Sequence, residues 1–339
     1  MSQLPASGPL LEISIGISPR ETLRGFGELA HQLEQEGVGR LWLIDSQLAM
    51  KDVYSGLTMA ALSTTRLQMG PGVTNPLTRH PTVTASAMAA LSELAPGRAA
   101  LGVGAGDSSV FGLGWHPAKV AVVEEALLFF RAVLNHEEGQ WDGRPYRLPD
   151  LQAKVPIFLA ASRPRMCRLA GQVADGAILM GPAQPDMVAA QVGWVMEGLA
   201  ASGRPRDAVR LLLVATTSAH QQPSNALNDV RSWASAQARL LADLPELPQS
   251  LGPFRDEIER ARATYDYSEH LSVHASHRAS VSDALTTTLA VAGTPETCAL
   301  RLGELAATGI DGFIFPLLGG GRLERLVSLR DSVLPLLPH

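Results

Sequence analysis

Eight short, almost unbroken apolar runs, each separated from the next by helix-like sequence, limit what this chain can fold into. They cover residues 11–17, 40–44, 67–73, 99–103, 157–161, 177–180, 211–215 and 312–315. Apolar character that is continuous rather than alternating marks strands covered on both faces, as in a parallel sheet wrapped by helices. Helices are expected at 18–36, where Ser18-Pro19 is a cap-then-proline start, and at 53–63, 81–94, 119–134, 164–174 and 185–201. The alternation predicts an α/β fold, a (β/α)8 TIM barrel, with a doubly wound open sheet as the competing arrangement. The strand count favours closure. Two intervals are longer: 104–156 holds the turn-rich stretch 141–146, and 217–292 is helix-rich but polar. The second reads as a helical insertion near the C-terminal mouth of a single domain spanning 1–339.

Composition narrows the function classes. A net charge of −5 gives no clustered basic face for nucleic acid. No segment approaches the roughly 20 apolar residues of a membrane span, and the first residues lack a signal-peptide pattern. A soluble, cytoplasmic protein is expected. Cys167 and Cys298 both fall in helix-like sequence and read as buried thiols in a reducing compartment.

Ligands of parallel α/β folds sit at the carboxyl ends of strands, and here those ends are rich in small residues. Residues 70–76 read GPGVTNP, where a bulge at Gly72-Val73-Thr74 could push a peptide toward a flat ring; an ordinary loop broken by Pro76 would read the same. Gly102-Val-Gly104-Ala-Gly106-Asp107 ends the fourth strand. Its spacing is not that of a dinucleotide fingerprint, and no βαβ unit opens with it. Ala160-Ala161-Ser162-Arg163-Pro164 ends the fifth and offers an anion site at a helix start, or a plain capping loop. His270, His274 and His277 would share a face if helical, but no H-E-x-x-H pattern accompanies them, so a polar lid with Tyr265, Asp266 and Tyr267 is the expectation and a metal site is not. There is no G-x-S-x-G elbow and no Walker loop. A barrel without a resident nucleophile or metal motif borrows its chemistry from an organic cofactor.

In these motifs the chain resembles the luciferase-like flavin and deazaflavin oxidoreductases, and within them the methylene-tetrahydromethanopterin reductase branch that uses coenzyme F420. The matching residues are 70–76, His80-Pro-Thr-Val-Thr-Ala-Ser86, 97–107 (GRAALGVGAGD) and 170–176 (AGQVADG), with 139–148 and 292–296 as further landmarks. The resemblance implies a barrel with the cofactor ring across its C-terminal mouth and a non-prolyl cis peptide at Gly72-Val73. It implies that Asp45, Ser46, Gly72, Val73, Asn75, Gly104, Ala105 and Gly106 border the ring. Ala160, Ala161 and Ser162 would hold the phosphate-bearing tail, and Met180 and Gly181, at the end of the sixth strand, complete the cofactor set. Many relatives carry a histidine after the acidic residue at the end of strand two, where this chain has Asp45-Ser46. A proton donor would then come from Asp107, His80, Tyr265 or the segment from His270 to His277.

Three functions follow. The first is an F420-dependent oxidoreductase moving hydride between the ring and a small organic substrate. The second is an FMN-dependent monooxygenase supplied with reduced flavin by a separate flavin reductase. The third is a non-catalytic barrel that lost its cofactor, which the open, small-residue loops speak against. A homodimer is the default assembly of such barrels.

Overall fold

The computed structural model describes residues 11–149, 151–244, 246–269, 272, 274–317 and 321–337. In chain order its strands are β1 (Glu12–Ile17), β2 (Arg40–Leu43), β3 (Gln68–Pro71), β4 (Leu101–Val103), β5 (Gly139–Trp141), β6 (Arg144–Tyr146), β7 (Ile157–Ala161), β8 (Gly176–Leu179), β9 (Arg210–Val214), β10 (Thr217–Ala219), β11 (Val291–Gly293) and β12 (Gly312–Pro316). The helices are α1 (Leu23–Gln35), α2 (Val53–Ser63), α3 (Pro81–Leu94), α4 (Ser108–Phe111), α5 (Val120–Val133), α6 (Pro164–Val173), α7 (Pro185–Ala201), α8 (Pro223–Leu241), α9 (Arg255–Thr264), α10 (Asp283–Leu289), α11 (Pro295–Ala306) and α12 (Arg322–Ser328).

Eight strands make one sheet in the order β3-β2-β1-β12-β9-β8-β7-β4. The two end strands also meet, since Met69 N donates to Arg98 O (2.8 Å) and Ala100 N to Met69 O (2.9 Å). This is the nearly closed parallel barrel that the alternating sequence pattern predicts. The expected helices are present with ends within a residue or so, except that the first starts at Leu23, capped by Thr22, and not at Ser18-Pro19, which lie in the loop before it.

The chain falls into two compact units, one of residues 14–180 and 191–210, the other of the described parts of 1–13, 181–190 and 211–339. In the first, β1 through β4, β7 and β8 run side by side, with Trp42 opposite Gly70 and Phe158 opposite Gly176. The centre of this unit is aromatic. Trp42 is 1 % exposed and meets Phe158 edge-on with ring centroids 5.1 Å apart. A Cβ at Gly72 would lie 2.6 Å from Trp42 Cβ, and one at Gly70 or Gly102 would crowd the far edge of the indole at 3.3 Å. Gly72 is therefore needed beside the tryptophan, whereas at Gly70 and Gly102 a Cβ would run first into backbone, the carbonyls of Ala100 and Pro71. Residues 139–146 form an antiparallel hairpin, with Asp142 (φ 50°) and Gly143 (φ 70°) both left-handed at its turn. Positive φ at both turn residues suits the right-handed twist of paired strands, and Asp-Gly is a preferred pair for it.

In the second unit β12 pairs with β9, and β10 pairs with β11 in parallel, Thr217 opposite Val291. The long polar interval 217–292 thus starts and ends on neighbouring strands. Between them α8, α9 and α10 enclose their own apolar core, including Leu241, Leu251, Ile258 and Leu285. Among the described residues no helix is long and apolar enough to cross a membrane.

Candidate active site

The carboxyl ends of β2, β3, β4 and β7 bring most of the expected residues into one unit. After β3 the Gly72–Val73 peptide is cis. The next residue, buried Thr74, is laddered to β4: its N–H donates to Gly102 O (3.0 Å) and its carbonyl accepts from Gly104 N (2.8 Å). Val73 is held against the end of β4 as a result. A Cβ at Gly104 would stand 2.8 Å from Val73 Cγ2 and 3.5 Å from Ala160 Cβ. Val73, Gly104 and Ala160 therefore adjoin, three short residues from three strand ends, and the glycine is imposed by Val73. At Gly106 both constraints act, since φ is +93° and a Cβ would lie 2.8 Å from Val110.

Asp45 and Ser46 leave β2 beside this surface. Thr74 Oγ1 donates to Asp45 Oδ2 at 2.7 Å, and the Ser46 hydroxyl, 3 % exposed, meets Ser108 Oγ at 3.0 Å. Burial raises the Asp45 pKa against the lowering pull of Thr74 and of the Arg79 charge, and the negative Asp52 adds to the rise. Asn75 is buried and its amide is spent inside the loop: Oδ1 accepts from Leu77 N and Thr78 N, and Nδ2 donates to Thr78 and Ser109. It shapes the loop that follows the bulge. Ala105 is tied to the segment after α4, its carbonyl accepting from Ala118 N at 2.7 Å. Asp107 opens α4 through its carbonyl, which accepts from Val110 N and Phe111 N.

At the end of β7, Ala160 is half-buried, Ala161 is buried and Ser162 is exposed, and Arg163 and Pro164 start α6. Met180 N donates to Ala161 O (3.0 Å). Gln191, 1 % exposed, donates its side-chain amide to Met180 O (2.8 Å) and Ser162 O (3.2 Å), pinning both strand ends. Gly181 belongs to the other unit.

The remaining expected proton donors have the following surroundings. His80 caps α3, its Nδ1 accepting from Thr82 N and facing Thr82 Oγ1 at 2.7 Å, and it is exposed. Tyr265 belongs to the second unit, in a cluster with Tyr267, His277 and the buried Arg239, whose guanidinium lies 5.1 Å from its ring centroid. His270 lies outside the described residues. The expected helical face of histidines does not form: His274 is in a turn and His277 in a short 3-10 helix (Ser276–Ser280) buried under Tyr265. The proline-free but polar sequence around them settles into turns held by Glu269, whose carboxylate takes the Ser276 N–H and hydroxyl.

A cleft of about 250 Å³ opens beside Asp45. Gln47, Met50 and Thr78 line it, and Leu48, Leu113 and Trp115 form exposed lips. Lys51, Asp52 and Arg79 complete its wall. Arg79 Nη2 bonds Asp52 Oδ2 at 2.6 Å and the guanidinium lies 4.6 Å from the Tyr54 ring centroid. Burial pushes the Tyr54 phenol up to about 12, helped by the Asp45 charge. Gln47 is fixed by its amide bond to Ser109 O. Sequence reasoning missed Trp42, Gln47, Arg79 and Gln191. Arg79 alone had a visible signal, a cation three residues past the GPGVTNP turn.

A family model described as luciferase-like monooxygenase matches residues 9–312. The chain belongs to the luciferase-like family. It is 27 % identical over 331 residues to 5,10-methylenetetrahydromethanopterin reductase of Methanolobus tindarius, covering 94 % of this chain and 98 % of that one. It is 31 % identical over 278 residues to F420-dependent glucose-6-phosphate dehydrogenase of Microbacterium testaceum, covering 75 % and 82 %. Among solved structures, the F420-dependent tetrahydromethanopterin reductase of Methanopyrus kandleri superposes with a TM-score of 0.75 at 20 % identity, covering 97 % of this chain and 99 % of that one. A long-chain alkane monooxygenase superposes with a TM-score of 0.64 at 16 % identity, covering 96 % and 90 %. Likeness at those identities is a likeness of fold. This luciferase-like chain is an enzyme of an oxidoreductase family whose similar members include F420-dependent ones.

Proposed function

We propose that the chain is an F420-dependent oxidoreductase acting on a small organic substrate. Kinship with 5,10-methylenetetrahydromethanopterin reductase across nearly the whole chain, and with F420-dependent glucose-6-phosphate dehydrogenase over 75 % of it, carries the reading. The residues present fit a flat deazaflavin: Val73, Gly104 and Ala160, none larger than valine, adjoin at three strand ends. When bound, the deazaflavin supplies a ring carbon that takes or gives a hydride.

This chain's residues do the rest. Val73, fixed to β4 through Thr74, backs one face of the ring. Ser46, next to Asp45 at the end of β2, would meet its polar edge. Ser162 and the start of α6, where free N–H groups and Arg163 favour an anion, hold the phosphate-bearing tail. Gln191 keeps those strand ends still by binding two of their carbonyls. Asp107, one residue past Gly106, remains the proposed proton donor among the residues of this unit.

A second reading is an FMN-dependent monooxygenase fed by a separate flavin reductase, favoured by the description of the matching family model. The test is direct titration of the purified protein with F420 and with FMN, each followed by its fluorescence. Saturable F420 binding with weaker FMN binding is expected. Tight FMN binding without F420 affinity overturns the first reading in favour of the second.

A further inference from the structure

We propose that the cleft between the loop after β2 and residues 113–115 is the substrate subsite of the oxidoreductase proposed above, and that it takes a small, neutral, mainly apolar molecule whose one polar end meets Asp45. The inference rests on that functional reading and adds the substrate class.

Three observations carry it. The cleft is walled by Asp45, and the Asp45 carboxylate is bonded to Thr74, the residue that follows the cis peptide. A molecule in the cleft that reaches Asp45 is therefore beside the bulge. Second, the lips are apolar and exposed: Leu48 is 94 % exposed, Trp115 50 % and Leu113 39 %. Leu48 is held there at φ +66°, a left-handed backbone that leucine rarely takes, by a loop fixed on either side. Met50 N donates to Ser46 O, and the Gln47 amide bonds Ser109 O. A strained loop that projects a large apolar side chain into water is a feature of ligand clamps rather than of ordinary surface.

Third, the charges around the cleft argue against an anion. Two cations, Lys51 and Arg79, face two carboxylates, Asp45 and Asp52, and Arg79 is bonded to Asp52. A phosphate would have to pull Arg79 from Asp52 and lie near both carboxylates. A neutral alcohol or ketone meets no such cost: its hydroxyl can donate to Asp45 or its carbonyl can accept from the protonated acid. Burial raises the Asp45 pKa and so favours its protonated form relative to an exposed aspartate.

The probe is cyclohexanol, with glucose 6-phosphate as the anionic competitor. Binding to the cofactor-free protein is measured by saturation-transfer NMR, and F420 binding is measured separately by fluorescence. Cyclohexanol should bind at millimolar concentration and glucose 6-phosphate should not displace it. Trp115→Ala and Leu113→Glu, both at exposed positions where folding is little affected, should each weaken cyclohexanol binding by about tenfold. Asp45→Asn should keep the apolar contact but weaken binding by a smaller factor. Preference for glucose 6-phosphate, absence of cyclohexanol binding, or binding unchanged by both lip variants overturns the proposal. F420 binding without cyclohexanol binding sinks the subsite alone, whereas cyclohexanol binding without F420 binding sinks the functional reading and leaves the cleft's preference standing.

Discussion

Replacing Gly104 by alanine separates two reasons for a glycine at the ring site. If the residue is small because the protein itself needs the space, the variant should be felt without any cofactor. The added Cβ would stand 2.8 Å from Val73 Cγ2, well inside ordinary contact, with Ala160 at a comfortable 3.5 Å. Val73 is half-buried and can yield by leaving its rotamer, at about 0.5–1.5 kcal/mol. Against this, Gly→Ala at a backbone outside the left-handed region restricts the unfolded chain and contributes about 0.4–1 kcal/mol. The net expectation for Gly104→Ala is a loss of about 0.3 kcal/mol. In a Val73→Ala background the clash is gone, and the same change should stabilise by about 0.4–1 kcal/mol. The sign reverses, with a coupling near 1 kcal/mol, which urea unfolding of the four cofactor-free proteins can read as a double-mutant cycle. Stabilisation by Gly104→Ala in both backgrounds would refute the packing argument and return the glycine to a purely ligand-clearing role. A leucine at 104 would have to displace Val73, so it cannot abolish cofactor binding while leaving the fold untouched.

Asp45, with its pKa raised above the ordinary 3.8 by burial, makes ionisation costly in the folded state. That cost is absent below pH 3.8, grows through the raised value and is complete above it, so Asp45→Asn should match wild type in acid and exceed it in urea stability near neutrality. Glu34 has the opposite sign. Burial opposes its charge, but the N–H groups of Thr65, Arg66 and Leu67 outweigh it and hold its pKa low, so its stabilisation is present above the ordinary value and lost as pH falls through the lowered one. Glu34→Gln should cost about 2–3 kcal/mol at neutral pH, with the gap closing in acid. Burial pushes both thiols, Cys167 and Cys298, up to about 12. An aromatic disulfide reagent should therefore label them only at the rate of unfolding; fast labelling of the native protein would contradict their burial.

Much of the barrel could be read from the chain because continuous apolar strands and proline-started helices are local signals. Strand β7, at Ile157–Ala161, falls where its apolar run predicts. What could not be read depends on register between distant segments. Gly70 lies opposite Trp42 and its missing Cβ makes room for the Ala100 carbonyl, yet both partners stand far from it in sequence. The pairing of Thr217 with Val291 escaped for the same reason. The hairpin at 139–146 is different, since Asp142-Gly143 is a local hairpin signal that a reading of the stretch as merely turn-rich left unused. At the site, the loop residues were visible by their size. Asn75 was visible too, but nothing in its neighbours told that Leu77, Thr78 and Ser109 would consume its amide.

The backbone at Gly72 is packed against the root of the Trp42 side chain, where a Cβ would stand 2.6 Å from Trp42 Cβ and 3.3 Å from Cγ. The peptide at 72–73 has no room to sink. A flat partner would meet a floor already packed from behind by Trp42, and little of its affinity would go into reshaping that floor.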